Sequence, residues 1–288
     1  MSVPLRLSIL CLLSGCSTTG SGEVLRTSYT FDEPAPLTKG WLRVETEDFE
    51  LTTDLSPELA QRAVQLLGQS ITGLRAMFGK APRVASLRLS VYVMGDELEF
   101  ERRFGKMTWG FALIGTDSAT ICMYGAPDRW FVRRAASYEG TESVLQHELA
   151  HVILHSYFPT QPQWFAEGLA QYLETFRWED AQTARFGEPK LGAYRGYRSI
   201  RSLSVAQMLR WKTVAQRETE VFGMYGLSWA FVFHAINRFP QKFGVYMVTL
   251  AERGPEEAWA RSFAPMAETL DETIFKYMKA GDYETRVV

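Results

Sequence analysis

The sequence predicts an α+β fold, a strand-rich half followed by a helical half. Three observations point there. Between Gly40 and Tyr124, apolar residues alternate with polar ones in several short runs, the period of half-buried strands. From Glu139 onward they recur at helical spacing over longer segments, with prolines at the candidate helix starts. The 288 residues are 46% hydrophobic and 22% charged, which is enough apolar material for a sizeable core.

The N-terminus stands apart. Its first sixteen residues, MSVPLRLSILCLLSGC, carry one positive charge, Arg6, and then a short apolar run from Leu7 to Leu13. That run is too short to span a bilayer and reads as the core of a signal peptide. It ends in Leu13-Ser14-Gly15-Cys16, which resembles the bacterial lipoprotein signal, where the cysteine is lipidated and becomes the mature N-terminus. Residues 1–16 are therefore expected to be a lipoprotein signal peptide, with Cys16 as the lipid attachment point and the bacterial cell envelope as the location. Residues 17–39 are rich in Ser, Thr, Gly and Pro and read as a flexible tether. The folded domain is expected over 40–288, with its sheet-containing half at about 40–137 and its helical half at about 138–288. Without the signal, only Cys16 and Cys122 remain, so no disulfide is expected and Cys122 reads as a small buried hydrophobe. A net charge of -2 without long like-charge runs argues against a nucleic-acid partner.

Within the domain, Gly40 to Thr53 reads as one or two strands. A helix follows from Asp54 to Phe78, with Ser56 as N-cap, Pro57 at the first position and a stripe through Leu59, Ala63, Leu66, Leu67, Ile71, Leu74 and Phe78. Ser86 to Met94 alternates as a strand, and Asp96 to Phe104 is a short helix. Gly110–Gly115 and Ala119–Tyr124 form a hairpin. Helices are then expected at Thr141–Tyr157, Pro162–Phe176, Ser204–Trp211, Gly223–Asn237, Gln241–Glu252, Pro255–Phe263 and Pro265–Lys279. Arg177 to Ser202 lacks periodicity and reads as a long loop, either a solvated surface or a site for anionic partners.

The chemistry concentrates in SVLQHELAHVILHSYF, residues 143–158, which holds three of the four histidines. On a helix, His147 and His151 project from one face one turn apart, so both can reach one metal ion. Glu148 points about 100° around the helix and can reach a water on that ion rather than the ion itself. His155 lies another turn on. Ligands at both ends of such a row would be about 12 Å apart, so His155 is expected to pack or support rather than bind. His234 has no neighbouring ligand pattern and reads as a helix-core histidine, with a place lining the cleft as the alternative. The third ligand is expected to be Glu167 in QPQWFAEGLAQYLE, brought back by a second helix after a proline-bounded turn. Gly168 beside it allows another helix to approach closely. Glu142 and Glu174 are the competing acids.

HELAH followed by P-x-W-F-A-E-G-L-A-x-Y resembles the gluzincin metallopeptidases, in particular the peptidase MA-like group of bacterial secreted proteins. YGLSWAFVFHAINRFPQKFG, from Tyr225 to Gly244, resembles that group's helix behind the site. The resemblance implies a zincin-like fold with the active site between the halves. It implies one zinc ion held by His147, His151 and Glu167, with Glu148 as the base. It implies Tyr225 as a donor to the developing oxyanion, and an edge strand, from Gly110–Gly115 or Ala119–Tyr124, that pairs with an extended peptide. The family often places an acid one turn after the glutamate ligand to support the first histidine. Here that position is Gln171, a weaker polariser. The expected function is thus a membrane-tethered zinc peptidase acting on peptides or proteins. The alternative is an envelope lipoprotein, with or without zinc, that binds protein or cell-wall partners without cutting.

Overall fold

A computed structural model describes residues 40–78, 88–105, 110–115, 117–133, 141–180, 183–189, 197–198, 203–211, 218–281, 283 and 286–287. The expected signal peptide, Cys16 and the tether lie outside the described residues. The architecture is α+β, with a mixed sheet in the N-terminal half and helices in the C-terminal half.

Strands β1 (Leu42–Glu45) and β2 (Phe49–Thr53) form an antiparallel pair, closed where Thr46 Oγ1 accepts from Phe49 N. Helix α1 (Pro57–Phe78) starts with Pro57 at its first position and Ser56 Oγ accepting from Leu59 N. It returns the chain to β3 (Arg88–Met94), which pairs in parallel with β2. Helix α2 (Glu97–Phe104) is capped by Asp96, whose carboxylate accepts from two backbone amides, and leads toward β4 (Gly110–Ile114) and β5 (Ser118–Tyr124). The sheet order is β1-β2-β3-β5-β4, which makes β4 an edge and β5 an interior strand. One face sets Leu51, Val91, Val93, Ile121 and Met123 into the main core with α1. The other packs Met94 and Cys122 against Phe100 of α2.

Two short strands then precede the histidine-bearing segment. They are β6 (Phe131–Arg133) and β7 (Thr141–Ser143), paired antiparallel. Helix α3 therefore begins at Val144, not at Thr141, and runs to Tyr157. Ser143 holds an extended backbone and caps the helix by accepting from Gln146 N, so the three residues before Val144 are strand. Glu142 thus lies ahead of the helix rather than in its first turn. Helix α4 (Gln163–Leu173) follows the Pro159–Pro162 turn.

The stretch expected to be a loop also carries structure. β8 (Arg177–Trp178) and β9 (Ala184–Phe186) pair antiparallel, and β10 (Arg286–Val287) adds to β9 from the far end of the chain. Arg177 pairs with Glu188 at 2.5 Å and Arg185 pairs with Glu179, so these two cations are met by their own segment. Arg195, Arg201 and Tyr194 lie outside the described residues.

Helix α5 (Val205–Met208) begins in a reciprocal cap between Ser204 and Gln207. Helices α6 (Glu218–Arg238), α7 (Pro240–Arg253), α8 (Pro255–Ser262) and α9 (Ala267–Ala280) complete the chain. Prolines open α7 and α8, and α8 ends at Ser262 with a 3-10 turn at Ala264–Met266 before α9. Among the described residues, no helix is long and apolar enough to cross a membrane.

Candidate metal centre

Two helices build the site. Helix α3 is apolar around most of its circumference, with Leu145, Leu149, Ala150, Val152, Ile153 and Leu154 buried. His147 and His151 occupy the remaining face, one turn apart. Helix α4 is anchored from behind by Trp164 and Phe165, both buried among the rings of α6 and α7. Gly168 sets the depth of that packing. A Cβ there would lie 2.5 Å from the Ser228 carbonyl oxygen of α6, so only glycine lets the two helices meet. The sequence expectation that Gly168 permits a close helix holds, and the helix is α6.

These supports bring three donor atoms together. His147 Nε2 and His151 Nε2 are 3.0 Å apart. Glu167 Oε2 lies 3.4 Å from the first and 3.5 Å from the second. Four-coordinate zinc with bonds of about 2.0–2.1 Å would set its donor atoms about 3.3 Å apart. Glu167 is only 3% exposed, and its Oε2 makes no hydrogen bond among the described residues. A buried carboxylate oxygen facing two imidazole nitrogens without a donor is costly unless a cation meets it. His147, His151 and Glu167 therefore form a cluster that could hold a metal ion, and the residues present fit that group.

The electrostatics agree with a site built for positive charge. Burial disfavours a charged His147, but Glu174 and Glu167 outweigh it and raise its pKa to about 10. Burial also opposes ionisation of Glu167, yet the adjacent imidazoles of His151 and His147 bring it down to about 2. Burial pushes the Glu148 carboxyl above its ordinary value, with the two histidines pulling partly against that shift.

The support of His147 differs from the sequence expectation. Glu174 Oε1, not Gln171, meets His147 Nδ1, at 2.5 Å. Gln171 instead turns its amide to α6, donating to the Tyr225 carbonyl oxygen at 3.0 Å. Helical rotation explains the exchange. Four residues beyond Glu167 a side chain has turned about 40° past it, whereas seven residues on it lags by only about 20°. Glu174, the C-cap of α4 with helical φ and ψ, thus shares the side of Glu167 that faces the histidines more closely than Gln171 does. A carboxylate on Nδ1 fixes the tautomer that leaves Nε2 as the donor to an ion. Glu174, weighed as a rival ligand, is therefore the hydrogen-bond partner of His147 and lies outside the metal-capable group.

Other expectations fall on either side. His155 is half-buried and outside the metal-capable group, and burial lowers its pKa. His234 is buried against the rings of Phe239 and Tyr277, and burial with the Arg238 charge lowers its pKa to about 4. Cys122 is buried, and burial followed by the Glu148 charge raises its thiol pKa. Tyr225 sits on α6 with its ring edge-on to Trp211. Of the two hairpin strands, only β4 is an edge, so Ala119–Tyr124 has no side open to a peptide. β4 runs beside α3, where a Cβ at Gly110 would lie 3.1 Å from Val144 Cγ1. One contact went unread in the sequence. Gln163 Nε2 donates to Glu167 Oε1 at 2.8 Å, and the four-residue spacing on α4 was its available signal.

Residues 141–257 match the model of a family described as a protein of unknown function, DUF1570. The match spans β7, both site helices, α6 and α7, and leaves the five-stranded sheet outside. It is similar to a family without an assigned activity and covers well under half of the chain. No curated protein matches the chain.

Proposed function

We propose that the protein is a zinc metallopeptidase of the gluzincin type, tethered to the bacterial envelope by a lipid on Cys16. The observation that carries this reading is the donor triangle of His147, His151 and Glu167, with Glu148 adjoining the first ligand. Two imidazoles and one carboxylate suit zinc and leave a fourth position for water or substrate. Zinc bound by them would supply Lewis acidity and bring the pKa of a water near neutrality.

The chain's own residues do the rest. Glu148 takes the proton of the attacking water and delivers it to the leaving amine nitrogen, roles its raised pKa favours. Glu174 holds His147 in the productive tautomer. Tyr225 is assigned as a hydroxyl donor to the oxyanion. Edge strand β4, beside α3, pairs with an extended peptide.

Metal analysis of the purified protein tests the reading, with one zinc per chain expected. Cleavage profiling against a broad peptide library tests the activity. Stoichiometric zinc without turnover would overturn the peptidase assignment and leave the non-catalytic envelope lipoprotein.

A further inference from the structure

The two oxygens of Glu167 have different surroundings. Oε2 faces both imidazole nitrogens and makes no hydrogen bond among the described residues. Oε1 accepts from Gln163 Nε2 at 2.8 Å. An ionised carboxylate only accepts, so the amide must present its NH2 to it. Gln163 is the first residue of α4, one turn before Glu167 on the same face. Its backbone is held by the first turn, where Phe165 N and Ala166 N both donate to the Pro162 carbonyl oxygen at 3.0 and 3.1 Å. The amide is thus tied to the same rigid helix as the ligand it meets.

We propose that Gln163 is a positioning residue that makes Glu167 a one-oxygen ligand. The inference rests on the metal reading above. A carboxylate can bind a cation through one oxygen or both. Binding through both would occupy the position that a catalytic site keeps open for water and substrate. An amide holding Oε1 turns that oxygen away from the ion and leaves Oε2 alone to bind. Gln163 therefore protects the open position rather than adding a donor of its own.

The test compares the full chain with Gln163→Met, which keeps side-chain length and removes the NH2 group. Zinc affinity is measured by competition with a chromophoric chelator, and coordination by the visible spectrum of the cobalt-loaded protein. Far-UV circular dichroism and the melting temperature of the metal-free forms establish that both are folded. Gln163→Ala carries the same expectation if Gln163→Met does not fold. Loss of the amide is expected to weaken zinc binding by about 10- to 100-fold. It should also weaken the cobalt absorption bands as a fifth donor enters. A parent that binds both metals, with a variant matching its zinc constant and cobalt spectrum, overturns the role of Gln163 alone. A parent that takes up neither metal overturns the metal reading and this inference together.

Discussion

His147 and His234 are both largely removed from water on helices of the same half, and their surroundings oppose each other. His147 lies between Glu174 and Glu167, which raise its pKa to about 10. His234 lies against Phe239 and Tyr277 beside the Arg238 charge, and its pKa falls to about 4. Burial alone penalises the charged imidazole in both places. The carboxylates decide the difference. Burial of a histidine in a helix therefore does not fix its charge, and the acids or cations beside the ring do.

The largest expected effect tests the proposed function at Glu148, next to His147. Glu148→Gln should lower peptide cleavage by about 10²- to 10⁴-fold while zinc stays bound. Cleavage assays with metal analysis check both halves of that statement, and parent-level cleavage would sink the base assignment.

The two histidines should next impose opposite pH dependences on stability. His234 is folded with a pKa below its unfolded value of about 6.5, so the unfolded chain binds the proton that the native chain refuses. Stability should fall as pH drops through 6.5 and continue falling to about 4, by about 3 kcal/mol in all. His234→Phe should flatten that slope in denaturant titrations at a series of pH values. His147 is folded with a raised pKa, so its contribution in metal-free protein is full below about 6.5 and is lost as pH rises through about 10. Zinc-loaded protein should not show that alkaline loss.

Smaller effects separate Glu174 from Gln171. Glu174→Met should weaken zinc binding by about 10- to 100-fold. Gln171→Met should leave the zinc constant unchanged and cost about 1 kcal/mol of stability, through the lost bond to the Tyr225 carbonyl oxygen. Equal zinc affinities for the two variants would erase the distinction between them.

The sequence made some of this legible and hid the rest for definable reasons. The meeting of His147 and His151 was legible in their helical spacing, and Glu167 was expected beside them from a second helix folded back, with Glu142 and Glu174 left open as rivals. The partner of His147 was misplaced, because the resemblance put it at Gln171, one turn after Glu167, whereas the rotation of the helix favours Glu174, two turns on. The hairpin of β6 and β7 was missed because each strand is three residues long and too short for a period to register. The sheet of β8, β9 and β10 was missed because its third strand comes from about a hundred residues away. Local pattern carries no record of such pairing.

Phe176 has a consequence for how the chain can be divided. Its ring fills the notch at Gly73 of α1, where a Cβ would lie 2.0 Å from ring carbon Cζ. Its carbonyl oxygen accepts from the Gln146 side chain at 2.5 Å, next door to His147. One residue thus pins the N-terminal half to helix α3. The family match begins at residue 141 and invites excision of the site as a module, but such a fragment would leave its keyhole behind. Residues 141–257 expressed alone should therefore be less stable than the full chain, which denaturant titration of both would check.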